Sequence, residues 1–198
     1  QTTVIGCASI SVSDVVLGEI DGDGHVDAVA VCGTDVTWFS NVDGTGTFSS
    51  RPTLGAEMTG SGGLVDIGDF DANGAMDVVA VDTDSGTVSW MRNLGGGVFD
   101  APVIISLNGQ GATGLAVGDI DSDGALSIVV VGGRGVSVPR RAVAFVLVGD
   151  GAGHFVEHMI PTDNAALTSV VLSDMNRDGR LDMVVGVDDW KSFQVYTR

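Results

Sequence analysis

The stretch GEIDGDGHVDAVAV, Gly18 to Val31, places Glu19, Asp21, Asp23 and Asp27 within nine residues and runs directly into an apolar, β-branched segment. Like charges so close repel one another unless a cation gathers them. The acids fall at positions 1, 3, 5 and 9 of a loop, with Gly24 at position 6 and the carbonyl of His25 at position 7. Hard cations such as Ca2+ take six to eight oxygen ligands at about 2.3–2.6 Å, and a glycine at the sharp turn lets alternate side chains face one centre.

The same pattern recurs as GDFDANGAMDVVAV from Gly68, GDIDSDGALSIVVV from Gly118 and SDMNRDGRLDMVVG from Ser173, at spacings of 50, 50 and 55 residues. The second loop offers Asp69, Asp71, Asn73, the Ala75 carbonyl and Asp77. The third offers Asp119, Asp121, Asp123, the Ala125 carbonyl and Ser127, and the fourth Asp174, Asn176, Asp178, the Arg180 carbonyl and Asp182. Up to four Ca2+ ions are expected, in loops at 19–27, 69–77, 119–127 and 174–182. The site from Asp119 to Ser127 should be weakest, because Ser127 replaces a charged ligand that could bind through both oxygens.

Two other metal readings fail. An EF-hand carries Glu at position 12 and continues into a helix, whereas Ala30, Ala80, Val130 and Val185 stand there inside apolar runs. Zinc favours Cys and His, and His25, His154 and His158 make no ligand-spaced cluster with Cys7 and Cys32.

Each loop therefore joins two strands. Further strands follow, as in VTWFSNVDGTGTF from Val36, VSWMRNLGGGVF from Val88 and the degenerate AFVLVGDGAGHF from Ala144. A fixed period with four short strands per unit predicts an all-β chain, a four-bladed β-propeller forming a single domain over residues 1–198. The fourth unit ends after its third strand, while residues 1–10 align with the fourth strand of unit two. The expectation is that this N-terminal strand completes the last blade and closes the ring, with completion of a neighbouring molecule's blade as the alternative.

Composition agrees. Of 198 residues, 30 are Gly, 44% are hydrophobic, and 26 acids face nine bases for a formal charge of −17. Half of the acids lie inside the four loops, and four divalent ions would cancel nearly half of the charge. A field of that sign repels nucleic acid, which is excluded as a partner. No apolar run reaches the roughly 20 residues of a membrane span. The start at Gln1 rather than Met reads as a mature secreted segment. Cys7 and Cys32 are compatible with one disulfide or with two buried thiols.

The D-x-D-x-D-G-x-x-D loops between strands, with W-x-x-N and G-x-F-x-x-x-P downstream, resemble FG-GAP/VCBS repeats, which build integrin α-subunit propellers and certain fungal and bacterial lectins. The resemblance implies an extracellular, calcium-stabilised propeller that works by adhesion or recognition of a glycan or protein. A filament or surface-appendage subunit assembled by strand donation is the alternative, and a polysaccharide-active enzyme the third reading. No nucleophile elbow, phosphate loop or histidine-centred triad is present, so no enzyme is expected. The partner surface is expected on the face opposite the calcium loops. Arg134, Arg140 and Arg141 in the longest strand connection and Trp190 in the last one are its candidates. Trp38 and Trp90, with Phe145 taken as their third equivalent, read as blade packing.

Overall fold

The computed structural model describes residues 6–7, 11–56, 58–60, 62–108, 111–132, 143–160, 166–188 and 192–197. Every regular element in them is a β-strand, and the strands form four separate antiparallel sheets. Sheet 1 runs in chain order through β1 (Val12–Gly18), β2 (Asp27–Cys32), β3 (Asp35–Asn41) and β4 (Phe48–Thr53). Sheet 2 repeats this with β5 (Gly63–Gly68), β6 (Asp77–Asp82), β7 (Val88–Met91) and β8 (Val103–Ser106). Sheet 3 comprises β9 (Ala112–Gly118), β10 (Ser127–Gly132), β11 (Val143–Gly149) and β12 (Phe155–Met159). Sheet 4 has three strands, β13 (Leu167–Ser173), β14 (Asp182–Val187) and β15 (Ser192–Tyr196).

The second strand of sheets 1 to 3 is buried along its whole length, which is why it reads as a continuous apolar run rather than an alternation. Three cores lie between consecutive sheets. Val29, Val31, Val36 and Trp38 of sheet 1 meet Val65, Val78 and Met91 of sheet 2. Phe70, Val79 and Trp90 then meet Ile128 and Phe145, and Val129, Val131 and Val146 meet Val170 and Val185. Sheets 2 and 3 thus each lend one face to the sheet before and the other to the sheet after.

The first strands are stitched together by side-chain bonds rather than by a backbone ladder. The Val65 amide donates to Asp14 Oδ2 at 3.0 Å, the Val117 amide donates to Asp66, and Thr113 Oγ1 donates to the Leu167 carbonyl at 2.7 Å. This ties β1 to β5, β5 to β9 and β9 to β13. No contact of comparable extent joins β13 to β1 among the described residues. The fold is β-propeller-like, with sheet 4 ending at β15. Residues 1–5, expected to pair there, lie outside the described residues, as do Arg134, Arg140, Arg141 and Trp190.

Two sequence readings are settled by this frame. Cys7 is bonded to Cys32, with Cα atoms 5.6 Å apart, and packs beside Ala30, Phe39 and Phe48 on the outer face of sheet 1. Phe145 is not the third equivalent of Trp38 and Trp90. The registers Val29↔Trp38, Val79↔Trp90 and Val129↔Val146 assign that place to Val146. Phe145 is one residue earlier and therefore faces sheet 2, where it fills the preceding core.

Candidate metal centres and the corners that hold them

The four loops fold alike because their backbone demands it. Position 4 is left-handed in every copy, at Gly22, Ala72, Ser122 and Arg177, and so is the position 6 glycine. Ala72, Ser122 and Arg177 are the only non-glycine residues with positive φ among the described residues, at 55°, 62° and 64°. Such a conformation costs a non-glycine residue about 1 kcal/mol or more and persists where its surroundings over-determine it. Three sets of hydrogen bonds do so. The position 7 amide donates to the position 5 side chain in all four loops, at 2.8 Å for His25, 2.7 Å for Ala75, 2.8 Å for Ala125 and 2.9 Å for Arg180. The amides of Gly74, Gly124 and Gly179 donate to the carboxylates of Asp69, Asp119 and Asp174. The position 2 amides of Ile20, Phe70 and Met175 donate to Asp27, Asp77 and Asp182.

Carboxylate oxygens converge in three of the loops. Glu19, Asp21 and Asp27 bring one oxygen each within 4.8 Å of one another, as do Asp69, Asp71 and Asp77, and Asp119, Asp121 and Asp123. An ion with ligand distances of about 2.4 Å fits between oxygens so spaced, and an all-carboxylate set suits a hard divalent cation. In the fourth loop, with Asn176 at position 3, no three acidic oxygens come so close among the described residues. The third loop gathers its acids without Ser127, whose hydroxyl is buried with no hydrogen-bond partner among the described residues.

Sequence reasoning missed what the position 9 aspartate does. Asp27 and Asp77 are fully buried and act as hubs between the first and third strands of a sheet. Asp27 accepts from the Asn41 amide at 2.8 Å, and Asp77 from the Asn93 amide at 2.7 Å and from Trp90 Nε1 at 3.1 Å. The two asparagines complete the corner by donating Nδ2 to the Val26 and Met76 carbonyls. Asn93 also donates to the Ile20 carbonyl at 2.8 Å, joining sheet 2 to the loop of sheet 1. The signal was present in the chain: the third unit, which has Ser127 for the aspartate, has Gly149 for the asparagine. Burial pushes the Asp77 carboxyl up to about 6, against the hydrogen bonds from Asn93, Trp90 and Phe70. Burial likewise raises Asp27. A cation beside either would favour the charged form.

A second omission concerns position 3. Ser40 Oγ donates to Asp21 at 3.1 Å, and Arg92, the corresponding residue of sheet 2, forms an ion pair with Asp71. The second loop thus carries a tethered positive charge that the first does not.

Trp38 and Trp90 are buried packing residues, as expected. Each lies against a glycine of the next sheet's turn, where a Cβ on Gly97 or Gly153 would come within 2.6 or 2.4 Å of the indole. Val146 is too small to fill the same place, and an apolar cleft of about 180 Å³ remains between sheets 3 and 4, lined by Ile120, Val129, Leu172, Met183 and Tyr196. A wider cleft of about 420 Å³ opens between sheets 1 and 2, where Pro52, Phe99 and Pro102 surround the edge of Trp38. The Arg51 guanidinium sits 5.4 Å from the centre of the Trp38 ring.

The FG-GAP-like repeat family matches residues 19–80 and 69–130. Comparison with curated proteins finds no match. Among solved structures, an Agrocybe aegerita lectin that recognises non-reducing terminal N-acetylglucosamine superposes with a TM-score of 0.61 at 18% identity, over 90% of this chain and 50% of the lectin. The pore of the Photorhabdus luminescens Tc holotoxin superposes with a TM-score of 0.51 at 18% identity, over 92% of this chain and 9% of that one. The chain spans about half the length of the lectin it resembles. With its repeated acidic hairpins, four stacked sheets and matching segments over more than half its length, the chain belongs to the FG-GAP-like repeat family.

Proposed function

We propose that this chain is a calcium-stabilised extracellular recognition module that binds glycans and has no catalytic role. The observation that carries the reading is the convergence of three carboxylates in each of three loops that share one backbone form, left-handed at positions 4 and 6. Calcium neutralises these clusters and pins each hairpin to its sheet corner, so the blades hold their spacing and the clefts between them keep their shape. The cleft between sheets 1 and 2 supplies what a sugar ring needs: the half-buried Phe99 ring, Pro52 and Pro102, and the exposed Asp100 beside them. The likeness to a lectin fold supports a glycan over a protein as the partner.

The test is a glycan array probed with the intact chain in calcium and again in excess chelator. Binding to a defined set of terminal sugars in calcium, lost on chelation, is expected. An array silent under both conditions, beside activity in a polysaccharide hydrolase and lyase screen, would overturn the reading.

A further inference from the structure

Among the described residues, the outer faces of sheets 1 and 4 are exposed, apolar and cognate. On sheet 1, Val15 and Leu17 are 56% and 64% exposed. Their repeat equivalents, Val65 and Ile67 on β5, Leu115 and Val117 on β9, and Val170 and Leu172 on β13, all pack against the preceding sheet. On sheet 4, Val171 and Phe193 are 59% and 70% exposed, and Val195 is 40% exposed. The registers Gly186↔Phe193 and Val184↔Val195 make these two the counterparts of Val36 and Trp38, which are buried against the following sheet. Val171 corresponds in the same way to Val16, which packs on that core.

Sheet 1 therefore presents the half-interface that receives a preceding sheet, and sheet 4 presents the half that receives a following one. Three copies of the joint between such halves are built inside the molecule, and each has an apolar core. Cys7, Phe39 and Phe48 already occupy the part of the sheet 1 face around Ala30, leaving open the strip along β1. That strip corresponds to the one by which β5, β9 and β13 meet their neighbours.

We infer that the open faces are an interaction surface for a second copy of this chain, with the sheet 4 face of one molecule stacked on the β1 strip of the next. Both halves are carried by one chain and face opposite ways, so the contact is heterologous and repeats head to tail. Burying large aliphatic and aromatic side chains drives it. It does not depend on the glycan reading, and its test involves no sugar.

Sedimentation velocity at increasing protein concentration, in calcium, tests it with two variants, Leu17→Glu and Phe193→Glu. Both positions are exposed, so far-UV circular dichroism should be unchanged. The parent chain should associate, and each variant alone should associate at least tenfold more weakly. An equimolar mixture of the two should form a heterodimer, because the sheet 4 face of Leu17→Glu and the β1 strip of Phe193→Glu both remain intact. A parent chain that stays monomeric up to about 100 μM, association that survives both substitutions, or a mixture no more associated than its components would each overturn the proposal. So would a monomer in which Phe193→Glu lowers Tm as an interior substitution does, since the faces would then close on each other within one chain.

Discussion

The corners of sheet 2 and sheet 3 occupy the same place in the repeat and are held by different forces. In sheet 2, Asp77, Asn93 and Trp90 form a closed polar knot in which the carboxylate accepts from two backbone amides, those of Phe70 and Asn93, and from the indole N–H of Trp90. In sheet 3 the same places hold Ser127, Gly149 and Val146, the serine hydroxyl is buried without a partner among the described residues, and a cleft opens where an indole would lie. Both loops still bring three carboxylates together. The third acid is Asp77 at position 9 in the second loop and Asp123 at position 5 in the third, so acids can be gathered without the position 9 aspartate that locks the loop to its sheet.

The largest expected effect comes from breaking the intact corner. Asp77→Ala should cost about 3 kcal/mol or more in urea denaturation, because it strands buried donors. Ser127→Ala, at the equivalent position, should change stability by less than about 1 kcal/mol, since it removes an unpaired hydroxyl. Equal losses in the two variants would remove the distinction between the corners. Asn93→Ala should fall between them, at about 2 kcal/mol, because its side chain serves two carbonyls and the Gly95 amide.

The same comparison extends to pH. The far end of sheet 2 is anchored by Asp82, which accepts from the Thr59 amide and hydroxyl and from the Ser85 hydroxyl, where sheet 3 has Gly132. Burial opposes ionisation of Asp82, yet these bonds outweigh it and hold its carboxyl down at about 2, below an ordinary 3.8. A depressed carboxylate stabilises the fold above its unfolded value and loses that contribution as pH falls towards 2. Asp77 has the opposite sign: in chelator its raised carboxyl favours the fold below about pH 4 and loses that contribution as pH rises through 6. Asp82→Asn should flatten the acid limb of a denaturation profile measured between pH 2 and 5. An unchanged limb would show that its hydrogen bonds do not depend on charge.

Smaller effects should sharpen the comparison at the metal. Ser127→Asp restores the missing carboxylate and should tighten calcium at the third loop about tenfold in calorimetric titration. Arg92→Ser copies Ser40 into sheet 2, frees Asp71 from its ion pair and should tighten the second loop by a few-fold. A weaker second loop after that change would mean that Arg92 organises the site rather than competing with the ion.

Much of this was legible in the chain. The repeat of odd-numbered acids placed all four loops, and the apolar runs after them placed the second strands of the sheets. Four units with the last one strand short matched the observed sheets, because hydrophobic period and turn glycines act locally. What the sequence hid depended on register or on distant partners. Pairing Phe145 with Trp38 by aromatic character slipped the alignment by one residue and turned the side chain to the wrong face. The bond from Asn93 to Ile20 spans 73 residues and leaves no local pattern. Arg92 belongs to no motif in the chain, and only the fold brings it against Asp71. The expected loss at Ser127 was visible, whereas its companion at Gly149 had to be seen as one half of a corner.

The proposed role of the acidic hairpins is to bind calcium, which would hold the sheets together. Thermal unfolding of the chelated protein during stepwise addition of calcium tests it most directly. A saturable rise in Tm that chelator reverses and that Asp77→Ala blunts is expected. An identical Tm at every calcium concentration would contradict it.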